Sequence, residues 1–261
     1  SEMRASGLKS AGDEGGRGIC ERCSLSHCSF RHLPIPDDSQ VYRRLTRGAR
    51  LGLKGARACL QFWIVMHGTA APCTVLEDGR RQILGLETTG DVICGEMSGP
   101  GGENWVEALD DCLVCEIDLS AQAESLGREQ SFMTATYGVI HRRMERALRH
   151  VATLGRLDSR ERVMLFLAEM ALRHDRNNKP GSAITLPTSR EDMADYLGLN
   201  AETISRILGR LRKSGLVRFL SPTEYVIPDM AEIARRLPVD PVGPPSHLSA
   251  LSSRTQLEIF A

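Results

Sequence analysis

Three cysteines near the start of the chain have the spacing of metal ligands. Cys20, Cys23 and Cys28 form a C-x2-C-x4-C arrangement. Thiolates are soft ligands, and a separation of two residues lets a pair of sulfurs reach one metal centre from a single turn. A fourth ligand must come from elsewhere in the chain. The leading interpretation of this segment is therefore an iron–sulfur cluster.

Two other interpretations stay open for the same thiols. A structural zinc ion takes four tetrahedral ligands, which could be the clustered cysteines together with a remote cysteine or His27. The thiols could also carry no metal. Iron–sulfur clusters take thiolates far more often than imidazoles, so His27 and His32 are expected to be surface residues if a cluster is bound.

The fourth ligand has two candidates in one predicted strand. Cys112 and Cys115 both lie within Cys112–Ile117. Because side chains alternate along a strand, the two thiols are expected on opposite faces. The remaining cysteines stand alone in predicted strands and are expected to pack as small apolar residues: Cys59, Cys73 and Cys94.

A second group of residues that could bind a ligand lies between Asn200 and Gly215. Apolar side chains recur there at i, i+3, i+4 and i+7, which places them on one buried stripe of a helix: Ile204, Ile207, Leu208 and Leu211. The other side carries the side chains expected to contact base edges and phosphates: Glu202, Thr203, Ser205, Arg206, Arg210 and Lys213. Asn200 suits the N-cap, and Gly215 suits the left-handed residue after the last turn.

The charge around this helix favours nucleic acid as its partner. The whole chain is neutral, with 33 Lys and Arg against 33 Asp and Glu. Between Ala201 and Arg218, however, five cations stand against one anion, Glu202. Phosphate neutralisation requires such a local excess and not a basic chain overall. The alternative is an ordinary buried helical pair with a solvated charged face.

The neighbouring elements predict a winged helix-turn-helix. A shorter helix precedes the first, with a capping box at Thr188 and Glu191, and ends at the tight turn that Gly198 allows. After Gly215, a strand, a turn and a second strand are expected over Leu216–Leu220 and Tyr225–Ile227.

Short strands separated by glycine-containing turns predict an antiparallel barrel or jelly roll in the first half of the chain. The predicted strands are Ala58–Met66, Thr69–Leu76, Arg81–Glu87, Asp91–Cys94 and Cys112–Ile117. Such a roll can hold a cyclic nucleotide. The glycine-rich turn Ser98–Gly102 is followed by Glu103 and not by an Arg-Ser pair, and its carboxylate would repel the cyclic phosphate, so this ligand is not expected.

A long helix over Gln130–Leu154 is expected to join the two parts. Its apolar residues step by three and four, as in a coiled-coil seam: Tyr137, Ile140, Met144, Ala147, Val151 and Leu154. The seam predicts a symmetric homodimer, with a stripe buried inside one subunit as the alternative. A further helix over Ser159–Arg173 and a polar loop over His174–Ser182 are expected to lead into the helix-turn-helix.

These elements give an α+β chain with an N-terminal β-roll of the cyclic-nucleotide-binding type, a long dimerisation helix and a C-terminal winged helix-turn-helix. The expected divisions are a disordered tail 1–17, a cysteine-rich segment 18–40, the roll 41–129, the dimerisation helix 130–156, the DNA-binding domain 157–237 and a loose tail 238–261.

The sequence also predicts where the protein works and what it does not do. With no apolar run long enough for a membrane span and no signal-peptide pattern, the expected compartment is the cytoplasm, where disulfides are rare. No convergent acid–base or nucleophile motif predicts an enzyme. An iron–sulfur redox enzyme is the alternative from that class.

The combination of clustered cysteines, roll, seam helix and the run Tyr196–Arg206 resembles the CRP/FNR superfamily of bacterial transcription regulators, and its FNR branch in particular. The resemblance covers about Cys20 to Pro228. It implies that Glu202, Ser205 and Arg206 read bases in TTGAT-like half-sites of a palindrome. It also implies that the turn Glu77–Arg80 touches RNA polymerase.

The resemblance further implies an oxygen-labile [4Fe-4S] cluster, with Cys115 preferred over Cys112 as the fourth ligand beside Cys20, Cys23 and Cys28. The third N-terminal cysteine follows after four residues here, where the FNR pattern has five or more. Other inputs to the same DNA-binding module remain open: structural zinc, haem, nitric oxide or thiol redox chemistry.

Overall fold

A computed structural model describes residues 39–52, 61–94, 103–122, 126–177, 182–186 and 188–241, together with Leu25, Cys28, Phe30, Leu33 and Ile35. The predictions that fall on Cys20, Cys23, His27, His32, Cys59, the turn 98–102 and the two tails lie outside these residues, except that the second tail is described as far as position 241. The chain divides into two compact units, Ser1–Arg143 and Met144–Ala261, and the division falls within one long helix.

The first unit is the predicted antiparallel roll. Among its described residues, eight strands form two four-stranded sheets, ordered β1-β8-β3-β6 and β2-β7-β4-β5. The strands are β1 Gln40–Leu45, β2 Arg50–Gly52, β3 Gln61–His67, β4 Ala70–Val75, β5 Arg81–Ile83, β6 Val92–Cys94, β7 Glu103–Ala108 and β8 Cys112–Asp118. A 3-10 turn over Ser120–Gln122 follows β8.

Three of these strands were not among the predicted ones, and one prediction was too long. β1 carries two arginines and is only half-buried, while β2 has three residues, so neither shows a strong alternating pattern. β7 begins directly after the glycine-rich turn, which hides its start. The strand predicted as Arg81–Glu87 ends at Ile83, and Glu87 forms only an isolated bridge with Ala70.

The roll has two apolar cores because both faces of β3 and β8 are buried. Trp63 and Val65 of β3 belong to the core that draws on both sheets, which we call the inner core. Phe62 and Ile64 alternate with them and belong to a second cluster on the other face of the first sheet, the outer core. The outer core also contains side chains from before β1 and after β8: Cys28, Phe30, Leu33, Ile35, Leu119, Leu126, Phe132 and Val139.

The long helix α1 spans Gln130–Arg156, two residues longer than predicted. Helix α2 spans Ser159–Asn177, so the loop predicted to begin at His174 begins later. The prediction failed there because polar residues alone do not end a helix, which needs glycine, proline or a competing cap. Among the residues that the structure describes, no helix combines the length and hydropathy of a bilayer crossing.

The rest of the second unit is the predicted winged helix-turn-helix. Its elements are β9 Ile184–Thr185, α3 Arg190–Leu197, α4 Ala201–Lys213, β10 Arg218–Phe219, β11 Glu224–Val226 and α5 Met230–Arg235. The wing is a three-stranded sheet ordered β10-β11-β9, and the two-residue β9 was too short to predict. Tyr225 anchors this wing, because its fully buried hydroxyl donates to the carbonyl of Leu167 in α2 at 2.8 Å.

Candidate DNA-binding surface and candidate metal centre

Helix α3 begins with a capping box that lies one residue later than predicted. Ser189 is the N-cap, and its hydroxyl accepts from the backbone N–H of Asp192 at 3.0 Å. The Asp192 carboxylate accepts in return from the Ser189 backbone N–H, also at 3.0 Å. The predicted pair Thr188 and Glu191 was therefore wrong, because an aspartate at the third helical position serves as well as the glutamate of the usual pattern.

The turn between α3 and α4 and both ends of α4 have the predicted conformations. Gly198 is left-handed with φ of 62°, and its N–H donates to the Ala194 carbonyl. The Asn200 side chain accepts from the backbone N–H of Thr203 at 2.8 Å and so caps the start of α4. Gly215, with φ of +74°, is the left-handed residue after its end. These local interactions fix the length and entry direction of α4.

The two faces of α4 separate as predicted. Its apolar stripe is buried, with Ile204 and Leu211 at 0% exposure. The polar face is exposed at Glu202, Ser205, Arg206, Arg210 and Lys213, while Thr203 is half-buried. Glu202 lies in the first turn and Arg210, Arg212 and Lys213 lie near the last turn, so each charge complements the nearer end of the helix dipole.

Arg206 is oriented by its neighbours on the exposed face of α4. Its guanidinium donates to the Thr203 hydroxyl at 3.2 Å and lies 3.9 Å from the Glu202 carboxylate. The side chains of Arg206 and Glu202 remain 61% and 79% exposed. An exposed ion pair of this length contributes about 0.5 kcal/mol, so Arg206 is held in place yet can exchange these contacts for a ligand.

One arginine that the sequence did not single out organises the base of the helix-turn-helix. The guanidinium of Arg162, in the first turn of α2, donates to three backbone carbonyls. Its acceptors are Leu154 at 2.7 Å, Leu157 at 3.0 Å and Leu197 at 3.1 Å. No periodic or composition signal could mark this residue, because its partners come from three separate parts of the chain.

His150 of α1 packs against α3 in the same unit. Its ring stacks on that of Tyr196, with centroids 4.2 Å apart and planes 11° from parallel. Burial lowers the pKa of His150 from about 6.5 to about 4, and the nearby positive charge of Arg162 acts in the same direction. The neutral imidazole is therefore the form that the fold favours.

Cys28 and Cys115 lie in the same core, and Cys112 lies in the other. Cys28 and Cys115 are 9% and 4% exposed and both belong to the outer core. Cys112 belongs to the inner core, as strand alternation predicted. Its thiol donates to the Thr69 carbonyl at 3.1 Å, and burial, with the Asp110 carboxylate beside it, raises the pKa of Cys112 to about 12.

Two thiols are thus brought to one side of the first sheet, and the predicted ligands Cys20 and Cys23 lie outside the described residues. Among the residues that are described, no group of three or more His, Cys, Asp or Glu is placed to hold a metal ion. Cys73 is buried and its thiol donates to the Ala71 carbonyl at 3.3 Å, while burial raises the pKa of the half-buried Cys94. Both are packed within the sheets.

The apolar stripe of α1 is exposed. The large apolar residues on it are between 52% and 67% exposed: Met133, Tyr137, Ile140, Met144, Leu148 and Val151. Ala147 is exposed too, whereas Leu154 is half-buried beside the Gly198 turn. The alternative in which the stripe is buried inside one subunit is therefore not what the structure shows.

Comparison with known proteins places these features in a family. Residues 161–236 match the model of the Crp-like helix-turn-helix domain. The nitrogen fixation regulation protein FixK of Azorhizobium caulinodans is 30% identical over 174 residues, which cover 66% of this chain and 70% of that protein. The fumarate and nitrate reduction regulatory protein of Escherichia coli (strain K12) is 29% identical over 212 residues, which cover 76% and 82%.

A solved structure agrees with these relatives. FixK2 from Bradyrhizobium japonicum superimposes with a TM-score of 0.67 at 28% identity, over 77% of this chain and 98% of that one. The roll, the long helix and the winged helix-turn-helix define a DNA-binding transcription regulator and not an enzyme. The chain belongs to the CRP/FNR superfamily of transcription regulators.

The pKa of His150 predicts a pH-dependent stability. Because the folded pKa is lowered, the stabilisation is fully present above about pH 6.5 and is lost as the pH falls towards 4. The His150→Phe variant keeps a ring against Tyr196 but cannot titrate. As the pH falls, we expect its free energy of unfolding to decrease by up to about 3 kcal/mol less than that of the wild type. Urea unfolding at pH 7, 5.5 and 4.5 measures it, and equal pH slopes for the two proteins would contradict the assignment.

Proposed function

We propose that this regulator binds palindromic TTGAT-like sites as a homodimer, and that an oxygen-labile [4Fe-4S] cluster on Cys20, Cys23, Cys28 and Cys115 controls its dimerisation and DNA affinity. The observation that carries this proposal is the position of Cys28 and Cys115 in the outer core, which also contains the buried residues at the start of α1. The relative named for fumarate and nitrate reduction supports a redox-linked signal.

The described residues fit such a cluster in chemistry and surroundings. Thiolates are the usual ligands of iron–sulfur clusters, and apolar surroundings limit solvent access. Cys28 and Cys115 lie among apolar side chains that include Leu25, Phe30 and Ile117. When bound, the cluster would make the protein sensitive to oxygen, because oxygen degrades it.

An aromatic triad links the cysteine segment to α1. Phe30 follows Cys28 by two residues and is fully buried. Its ring lies 5.0 Å from that of Phe62 in β3 and 6.3 Å from that of Phe132 in α1, and the last two are 6.5 Å apart. Such ring pairs contribute about 0.5–1.5 kcal/mol beyond the area that they bury. A shift of the cysteine segment therefore acts directly on the start of α1.

The exposed stripe of α1 supports a second copy of the chain as its partner. Met133, Tyr137, Ile140, Met144, Ala147 and Val151 follow steps of four, three, four, three and four residues, the repeat of a coiled-coil seam, and Leu148 lies next to Ala147. A contiguous exposed apolar surface marks an interaction site. In the proposed dimer Ile140, Met144, Ala147 and Val151 face their symmetry mates, and Leu154 lies at the end of the interface.

In the dimer two copies of α4 enter successive major grooves about 34 Å apart. Arg206 bonds a guanine edge and Glu202 a cytosine amine, in the pairings that base-edge geometry favours. Ser205 and Thr203 add short hydroxyl contacts. Arg210 and Lys213, towards the end of α4, neutralise phosphates. The exposure of Glu202, Ser205, Arg206, Arg210 and Lys213 supports this division of roles.

The turn between β4 and β5 is the proposed contact with RNA polymerase. Glu77–Arg80 forms its tip, where the Arg80 side chain donates to the Asp78 carboxylate at 2.7 Å. Both side chains stay exposed, at 77% and 52%. The ion pair gives this tip a defined shape that a partner protein can recognise.

Base reading and phosphate contact predict different mutant behaviour on α4. Arg206→Ala should lose about 1–3 kcal/mol of discrimination at one base position, because its guanidinium reads one base. Lys213→Ala should weaken all sequences equally and lower the salt slope by about one. Fluorescence anisotropy with a set of singly substituted palindromes distinguishes the two. An equal loss on every sequence for Arg206→Ala would refute its base-reading role.

The position of the fourth ligand is tested by two matched cysteine variants. We expect anaerobically purified wild-type protein to contain about four iron and four sulfide per subunit and to bleach in air. Cys115→Ala should lose this iron, whereas Cys112→Ala, on the opposite face of β8, should keep it. Iron, sulfide and zinc analysis of the three proteins is the measurement. Colourless protein with one zinc would end the oxygen-sensing proposal and leave DNA binding intact.

The aromatic triad predicts separable effects on dimerisation and metal content. Phe30→Ala should raise the dimer dissociation constant about tenfold, because the loss of about 1.4 kcal/mol has that effect, while anaerobic iron content stays near that of the wild type. Ile93→Ala is the control, since Ile93 is equally buried but lies in the inner core. It should lower the free energy of unfolding without weakening the dimer.

Anaerobic sedimentation equilibrium measures the dissociation constants in that comparison. An Ile93→Ala protein whose dimer weakens as much as that of Phe30→Ala would assign the effect to general destabilisation and not to the triad.

A further inference from the structure

The end of α1 and the end of α3 are held by the same side chain. Leu154 lies in the last turn of α1, and Leu197 is the last residue of α3. The carbonyls of the last turn of a helix have no partner within that helix. Arg162 satisfies one at each end, through Nη2 at 2.7 Å and Nη1 at 3.1 Å. Its Nε also donates to the Leu157 carbonyl, in the connection that follows α1, at 3.0 Å.

An arginine is suited to this position because its donors lie in one rigid plane. A lysine ammonium is a point charge on a flexible stem, whereas a guanidinium fixes the directions of several acceptors at once. Hydrogen bonds from a charged donor are also roughly twice as strong as neutral ones. The plane of Arg162 therefore restricts the direction in which α1 leaves the helix-turn-helix.

Two further neighbours support the joint between α1 and α3, which we define by Leu154, Arg162 and Leu197. A Cβ atom at Gly198 would lie in ordinary van der Waals contact with both Nη1 of Arg162 and a methyl group of Leu154, each at 3.6 Å, so the turn after α3 lies beside both side chains. One helical turn before Leu154, the His150 ring stacks on Tyr196 at 4.2 Å. The contacts at the joint thus extend over two turns of α1, from His150 to Leu154.

We propose that Arg162 is a positioning residue that sets the spacing and rotational register of the two half-sites that the dimer reads. This inference rests on the proposed function, since only a dimer reads two half-sites. The exposed residues Met144, Ala147 and Val151 of α1 lie on the axis of the proposed dimer within this unit, and α4 follows α3 after the Gly198 turn. The position of α4 relative to the axis therefore depends on the joint that Arg162 closes.

DNA geometry makes this position matter. One base pair advances the helix by about 3.4 Å and rotates it by about 35°, because a turn of 10–10.5 base pairs spans 34–36 Å. A joint that rotates freely would let α4 reach half-sites at several spacings. A closed joint accepts one spacing and rejects its neighbours, at positions where no side chain touches a base.

The experiment measures affinity for duplexes that carry the same two TTGAT-like half-sites with the spacer changed by one base pair at a time, and for a duplex with a single half-site. Wild-type protein should prefer one spacer by about tenfold or more over the next, similar to the loss from a mismatched base pair. Arg162→Met should reduce this preference to less than about threefold and change single-half-site affinity less than about twofold. Arg160→Met is the matched control, because Arg160 is an exposed arginine in the same turn of α2.

Each outcome either supports or overturns the proposed role of Arg162. A wild-type spacer preference in Arg162→Met overturns the inference, and so does an equal loss on all duplexes including the single half-site, since that would mark a purely structural role. If Arg162→Met does not fold, Arg162→Lys, which keeps the charge without the planar fork, must broaden the spacer preference. Wild-type protein that binds one and two half-sites equally well would overturn the proposed dimeric recognition itself, and this inference with it.

Discussion

The apolar character of both faces of the first sheet is the constraint on which the rest of the sensor unit depends. β3 and β8 alternate between two buried faces, so the sheet cannot present one side to water as a simple sandwich does. The inner face is covered by the second sheet. The outer face needs another cover, which the cysteine segment and the start of α1 supply together. A change in the packing of the cysteine segment therefore alters the packing of the start of α1, and the reverse also holds.

In the second unit, local interactions determine where the helices end, and non-local interactions determine their directions. Caps at Ser189, Asn200 and Gly215 determine where α3 and α4 begin and end, and each uses residues within a few positions of the cap. The direction between α1 and these helices is instead determined by Arg162 and by the His150–Tyr196 stack, which connect distant parts of the sequence. The helix surface proposed to read DNA is thus built by local interactions, whereas its direction relative to α1 depends on contacts between distant residues.

This division explains how much could be predicted. The faces of α4 follow from a period of 3.6 residues, and the opposite orientation of Cys112 and Cys115 follows from a period of two; both predictions are confirmed. The sequence could not say which face of β8 the cysteine segment covers, because that depends on contacts made by Phe30 and Ile35 with side chains far along the chain.

The missed strands and the missed arginine have related causes. β9 has two residues and β1 is half-buried, so neither gives the alternation from which strands are predicted. The capping box was placed one residue early because Thr188 matched the usual pattern while the aspartate that completes the real box did not. Arg162 resembles any other arginine on a polar helix, since its acceptors are backbone carbonyls, which carry no sequence signature.

The composition of the α1 stripe suits a dimer that can be switched. Stable coiled coils place leucine and β-branched residues at the seam, whereas this stripe combines Ile140, Leu148 and Val151 with Ala147, Tyr137 and two methionines. Alanine buries little area, methionine loses more side-chain entropy, and each missing methylene group forgoes about 0.8 kcal/mol. A tenfold change in dissociation constant takes only about 1.4 kcal/mol. The energy of one aromatic contact at Phe132 is therefore comparable to a tenfold change in the dissociation constant of the proposed dimer.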